Sequence, residues 1–141
     1  MNAAFVSGFE VGDEVAMTEF LSDTWANMRT EDIWVERSDG NIVNWLMDYP
    51  SLYDTTPAFE TIKRITSPFG DFKRKISVTA NDINTGELQT FNQDNISFEE
   101  LPYATFGSAS IPLMWPPTHF RDYQLIDGGS VFNINLESAI R

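Results

Sequence analysis

The chain has 141 residues, of which 42% are apolar and 13% aromatic, and this is enough for one packed domain or part of one. It contains no cysteine, which excludes disulfide scaffolds, cysteine nucleophiles and zinc–thiolate sites. The formal net charge of −12 argues against binding nucleic acid through its phosphates. No apolar run reaches the roughly 18 residues that a membrane span needs.

The first third of the chain predicts three helices. Residues 1–6 are compatible with helix, and Gly8 closes that element. Asp13 is a plausible N-cap for a second, core-facing helix. Its apolar residues keep helical spacing at Ala16, Phe20, Leu21, Trp25 and Met28. A short third helix is expected over residues 42–47, between Asp39-Gly40 and Pro50. Four aromatic residues surround this helix: Trp34, Trp45, Tyr49 and Tyr53. They either line an acyl-chain groove or pack in the core, and the sequence favours packing.

The middle of the chain predicts a helix and then a hairpin. Thr56, directly before Pro57, is the predicted N-cap of a helix whose first residue is the proline. The apolar stripe of this helix is Phe59, Ile62 and Ile65. Apolar residues then recur at every second position, at Ile76, Val78 and Ala80, as in a β-strand. The turn residues Asn84-Thr85-Gly86 precede a second strand over residues 87–92, so the pattern is typical of a β-hairpin.

The last third predicts a helix followed by a buried strand. "SFEE" at residues 97–100 is a capping box that opens a helix through about Phe106. Gly107 and three prolines then interrupt the helical pattern. "YQLIDGG", starting at Tyr123, reads as a buried strand that carries Asp127 at its carboxyl end.

The sequence allows two interpretations of Asp127, a turn residue or a general base. Asp-Gly is a common turn dipeptide, which favours a structural role for Asp127 and Gly128. The carboxylate is a general base only if a nucleophile lies within hydrogen-bond reach.

Three other residues are weak candidates for a catalytic role beside Asp127. Ser110 lies in "GSASI", which resembles a Gly-x-Ser-x-Gly nucleophile elbow only superficially, because Ile111-Pro112 replaces the closing glycine. His119 is expected in a surface loop, which disfavours a Ser-His-Asp triad, and Asp122 is expected to be a solvated loop charge.

Five segments together resemble the patatin-like phospholipases in order and spacing. They are Asn2-Ala3-Ala4, "LYDTTP", "ISVTANDINTGELQTF", "ATFGSASIPLMWPPTHF" and "YQLIDGG". The resemblance implies an α/β fold, the patatin-like α/β/α sandwich, and a Ser-Asp catalytic dyad without histidine. Asp127 matches the family aspartate, and Gly128 and Gly129 match its glycine motif. We expect these glycines to let the backbone turn sharply beside a pocket walled by Leu125, Ile126, Val131 and Phe132.

The same resemblance implies that part of the domain precedes Met1. Met1-Asn2-Ala3-Ala4 resembles the continuation of the nucleophile elbow, so the serine is expected just before Met1. Residues 1–141 are therefore expected to be the carboxy-terminal part of one patatin-like domain. They are expected to lack the strands that carry the oxyanion loop and the elbow, and therefore to be inactive as written.

The resemblance implies a lipid acyl hydrolase of the phospholipase A or lysophospholipase type, with no cofactor and no metal. Its expected substrate is a phospholipid or another acyl ester, without nucleic acid as a partner. A soluble or peripheral protein is expected, with the cytoplasm favoured and contact with a membrane surface left open. Two alternatives remain. One is a catalytically dead module that binds lipid or protein, and the other is an unrelated α/β domain in which Asp127 is a turn residue.

Overall fold

The computed structural model describes residues 1–36, 51–130 and 140. The helices in these ranges, α1 to α4, span Asn2–Val6, Glu14–Asn27, Thr56–Thr66 and Leu101–Ala109. The strands in these ranges, β1 to β6, span Val35–Glu36, Tyr53–Asp54, Ser77–Asp82, Leu88–Asn92, Thr118–Phe120 and Tyr123–Asp127. This mixture of helices and sheets agrees with the predicted α/β class. The helix predicted over residues 42–47 lies outside the described residues, as do Trp45 and Tyr49.

Four strands form one antiparallel sheet in the order β4-β3-β6-β5, and β1 pairs separately with β2. The predicted hairpin is confirmed, since β3 and β4 pair with Ala80 opposite Gln89. Gly86 adopts a φ of 74° in its turn, a conformation that glycine accepts readily. The prediction that His119 lies in a loop is wrong. It lies in β5, opposite Gln124, although its side chain is exposed as expected.

Strand β5 was missed because the turn that joins it to β6 carries no glycine or asparagine. Phe120 pairs with Tyr123, so Arg121 and Asp122 alone make the turn. Arg121 has a φ of 52°, which is uncommon for a residue with a side chain. Its guanidinium donates hydrogen bonds to the Glu100 carboxylate at 2.8 and 3.0 Å and to the Asn95 carbonyl at 3.1 Å. These distant partners hold the turn, and local sequence gives no sign of them.

Helix α4 begins as predicted and ends later than predicted. Ser97 and Glu100 form the predicted capping box around a short 3₁₀ turn, and α4 continues from it to Ala109. Gly107 is not a helix breaker, since it lies buried inside α4. A Cβ at this position would lie 2.8 Å from Cβ of Leu125 in β6, closer than packed carbon atoms approach. Glycine therefore allows α4 to lie directly on the sheet.

The main core lies between α4 and the sheet, with α1 and α3 packed alongside. Helix α3 begins at Thr56, so the N-cap is Thr55, one residue before the predicted one. The Asp54 carboxylate accepts hydrogen bonds from the Thr56 N–H at 3.0 Å and from its hydroxyl at 2.7 Å. The predicted stripe is confirmed, because Ile62 is fully buried and Phe59 and Ile65 pack against the core.

Helix α2 is confirmed in extent, but the prediction that it faces the core is only partly correct. None of its residues is buried, and Ala16 and Trp25 are exposed. Phe20 and Leu21 pack against the core, and the Phe20 ring centroid lies 5.3 Å from that of Phe9 and 5.5 Å from that of Phe69. The helix therefore borders the core through these two residues and presents its other predicted residues largely to solvent. Neither α2 nor another helix in the described ranges has the length and hydropathy to cross a bilayer.

The contact between α4 and β6 predicts the effect of a single methyl group. We expect Gly107→Ala to destabilise the fold by about 1–3 kcal/mol, because the new Cβ meets Leu125 where neither backbone can easily withdraw. Ser108→Ala, at the partly buried next position of α4, is the matched control and should change stability by less than about 0.5 kcal/mol. Chemical denaturation of the two variants measures the difference. Equal stability for both would show that α4 does not rest on β6 at Gly107.

Candidate functional site

Asp127 is the last residue of β6, and its backbone is held on both sides. Its N–H donates to the carbonyl of Ser110, just after α4, at 2.9 Å. Its carbonyl accepts a hydrogen bond from the Asn81 side-chain amide at 3.0 Å, and Ala80 is its partner in β3. Sequence reasoning missed Asn81, although an asparagine inside a strand pattern is unusual and is a usable signal. The strand end that carries the carboxylate is therefore fixed by two neighbouring elements.

The carboxylate of Asp127 is oriented by the residues that follow it. Oδ1 accepts a hydrogen bond from the Gly129 N–H at 2.7 Å, and Gly128–Ser130 form a 3₁₀ turn. Asp-Gly therefore leads into a 3₁₀ turn. The backbone of Gly128 does not adopt a positive φ, and a Cβ at Gly128 would collide with the backbone carbonyl of Thr79. Glycine is needed at position 128 because two backbones approach each other closely there. This differs from the reason expected from the sequence, namely that glycine lets the backbone turn sharply.

The register of the sheet decides which residues share the face of Asp127. Side chains alternate along a strand, so Leu125 and Asp127 point to one face and Ile126 to the other. Leu125 is fully buried against Gly107 of α4, so this is the face that α4 covers. The expectation that Leu125 and Ile126 together wall the pocket is therefore wrong for Ile126. Val131 and Phe132, the other expected walls, lie outside the described residues.

The amino terminus of the chain lies within electrostatic reach of Asp127. Burial lowers the pKa of the Met1 α-amino group, and the negative charge of Asp127 acts in the opposite direction by raising it. Met1 precedes α1, whose residues Ala4 and Phe5 are fully buried in the core. The charge of Asp127 at the end of β6 therefore acts on the start of α1, although 126 positions separate Met1 from Asp127 in the sequence.

Ser110 is close to Asp127 through its backbone but its hydroxyl is committed elsewhere. The side chain is fully buried, and Oγ donates to the carbonyl of Phe106 at 2.9 Å. Oγ also lies 2.9 Å from Oγ1 of Thr118, with which it shares a hydrogen bond. These bonds lock the end of α4 to the edge strand β5. The arrangement fits a structural serine, and it agrees with the weak case for Ser110 as a nucleophile.

His119 lies too far from Asp127 in the sheet register to complete a triad. It pairs with Gln124, three positions before Asp127, so the two side chains point to opposite faces of the sheet. His119 is exposed and lines, with aromatic side chains, a cleft of about 270 Å³ between α3, α4 and β5. The structure therefore does not bring the single histidine and Asp127 together.

The environment of Ser110 predicts a stability effect. Ser110→Ala removes a buried hydroxyl and leaves Thr118 without that partner, so we expect a loss of about 1–3 kcal/mol. Ser67→Ala is the control, because its hydroxyl also bonds a helix carbonyl but is exposed. It should cost less than about 0.5 kcal/mol. Thermal and chemical denaturation compare the two, and an unchanged Ser110→Ala protein would mean that the hydroxyl does not hold α4 to β5.

Comparison with known proteins identifies one family. The family model for patatin-like phospholipase matches residues 1–140. Comparison with curated proteins and with solved structures gave no significant match. The family match covers almost the whole chain, from α1 past the Asp-Gly-Gly motif, and the family acts on lipid substrates. The chain belongs to the patatin-like phospholipase family.

Proposed function

We propose that this chain is the carboxy-terminal part of a patatin-like lipid acyl hydrolase in which Asp127 is the base of a Ser-Asp dyad. The serine of the dyad is supplied by residues before Met1 in a longer form of the chain. The observation that carries this proposal is the Asp127 carboxylate fixed at the end of β6, in a chain whose match to the patatin-like family runs through the Asp-Gly-Gly motif. The charge of Asp127 also acts on the Met1 α-amino group, the point at which a preceding segment would join the chain.

In the proposed reaction, the serine hydroxyl attacks the acyl carbonyl of a phospholipid or lysophospholipid and passes its proton to Asp127. The resulting tetrahedral intermediate collapses, and the leaving alcohol takes the proton from Asp127. Water then attacks the acyl-serine ester, and Asp127 accepts the proton of that water. The fatty acid leaves, and the serine regains its hydrogen.

The residues around Asp127 suit this role because they fix the carboxylate without using all of it. The Gly129 N–H bonds Oδ1, and the proposed dyad uses Oδ2 to take the proton. The Ser110 carbonyl and the Asn81 amide hold the backbone on either side of the strand. A base held in this way needs little reorganisation when the hydroxyl approaches, which favours proton transfer.

The chain of 141 residues is proposed to be inactive by itself, because the attacking hydroxyl and the oxyanion donors belong to the preceding segment. Hydrogen-bond donors to the developing oxyanion supply a large part of the rate acceleration in acyl transfer. The competing function from the same family is a module that binds lipid or protein without turnover. Lipid binding without hydrolysis by the longer chain would favour that module.

The proposed dyad predicts that replacing the Asp127 carboxylate by an amide lowers kcat strongly without changing the fold. In a form of the chain extended through the in-frame sequence upstream of Met1, Asp127→Asn should lower kcat for a phospholipid ester by about 10²–10⁴-fold, because the amide cannot accept the serine proton. The exposed turn residue Asp122 supplies the control Asp122→Asn, which should leave kcat unchanged. Circular dichroism and Tm check that both variants keep the fold.

Labelling with a fluorophosphonate completes the experiment. The extended chain should react at its upstream serine, and the chain of 141 residues should not react. Activity of Asp127→Asn within a few fold of the parent protein would contradict the dyad. Reaction of the probe with Ser110 in the shorter chain would contradict the assignment of the nucleophile.

A further inference from the structure

The segment between α4 and β5 exposes apolar side chains to solvent. We call residues 111–114, Ile111-Pro112-Leu113-Met114, the apolar loop. Ile111 and Met114 are exposed by 44% and 41%, and Leu113 by 76%. The neighbouring Leu52 is exposed as well, and its N–H donates to the Leu113 carbonyl at 2.9 Å. The Tyr53 N–H donates to the Met114 carbonyl at 3.1 Å, so the loop is fixed at its base.

Leu113 is held in a backbone conformation that does not suit leucine. Its φ of 71° lies in the left-handed region, where a branched side chain costs free energy that glycine or asparagine avoids. Burial of the side chain does not offset this cost, because most of the side chain is in solvent. Neither local geometry nor core packing accounts for a leucine here, and strain of this kind is a sign of function.

The charge around the apolar loop indicates which surface it fits. From Leu101 to Phe120 the sequence has no aspartate, glutamate, lysine or arginine, although the chain carries a net charge of −12. The loop itself carries no charge, and the nearest charged residue of the strand that bonds it is the acidic Asp54, directly after Tyr53. An apolar loop of this kind gains free energy by entering the acyl region of a bilayer with neutral headgroups, while an anionic bilayer repels the rest of the chain.

The apolar loop is joined directly to the site of Asp127. Ile111 follows Ser110, whose carbonyl accepts the hydrogen bond of the Asp127 N–H at 2.9 Å. A loop seated in a lipid surface therefore brings the end of β6 to that surface. This link gives the loop a use in the proposed hydrolysis of lipid esters, and to that extent it rests on the proposed function.

We propose that the apolar loop is an interfacial anchor that inserts Ile111, Leu113 and Met114 into the surface of a zwitterionic lipid bilayer. Entry of the Leu113 side chain into the lipid accounts for a leucine at a position with a strained backbone. Binding of the anchor to lipid requires neither the serine nor the Asp127 carboxylate, so it can be measured on the chain of 141 residues.

Flotation with phosphatidylcholine vesicles tests the anchor, because vesicle-bound protein rises in a density gradient and aggregated protein sinks. The chain should float with these vesicles and float less with phosphatidylglycerol vesicles. Leu113→Asn should lower the partition coefficient about tenfold, since it removes one large apolar side chain from the lipid. Asparagine tolerates the left-handed conformation, so the Tm of this variant should be equal to or above that of the parent chain.

Val15→Gln is the matched control, because Val15 is 74% exposed but lies on α2. It should leave the partition coefficient unchanged. An equal loss in both variants, no loss in Leu113→Asn, or no flotation of the parent chain would each overturn the anchor. Self-association that Leu113→Asn abolishes, without vesicle binding, would assign the loop to a protein interface and would also overturn it. Vesicle binding does not depend on hydrolysis, so these results would be the same if the Ser-Asp dyad were refuted. The anchor and the dyad can therefore be contradicted independently.

Discussion

The position of Asp127 depends on how closely α4 lies on β6. Gly107 removes the one Cβ that would hold the helix away from Leu125, and three residues later the Ser110 carbonyl reaches the Asp127 N–H at 2.9 Å. Close packing of the helix brings Ser110 to β6, and this backbone hydrogen bond holds it there. The carboxylate is thus placed by the core and not by the flexibility of a turn.

The same helix end organises two features that local sequence treats as unrelated. Ser110 binds Asp127 through its carbonyl and Thr118 through its hydroxyl, so α4 is tied to both β6 and β5. The chain then leaves α4 directly into the apolar loop. A movement of α4 relative to the sheet would therefore displace the proposed base and the proposed lipid anchor together.

Sequence predicted the elements whose signals are local. The hairpin of β3 and β4 has alternating apolar residues and a glycine turn, and α3 and α4 have a Thr-Pro start and a capping box. Strand β5 was missed because Arg121 makes its turn through bonds to Glu100 and Asn95, which are distant in sequence. Gly107 was misread as a breaker because its reason, the contact with Leu125, lies in another element. Of the candidate site, Asp127 was predicted from a resemblance, whereas the pairing of β3 with β6 is what brings Asn81 to its carbonyl.

The proposed dyad requires the Asp127 carboxylate to face the start of α1, and titration of the Met1 α-amino group by NMR tests this most directly. In the chain of 141 residues we expect the pKa of that group to lie below its ordinary value of 8.0, because the group is buried. In Asp127→Asn the pKa should fall further, since the negative charge that opposes this decrease is gone. The same pKa in both proteins would mean that the carboxylate does not face the amino terminus, and it would contradict the proposed dyad.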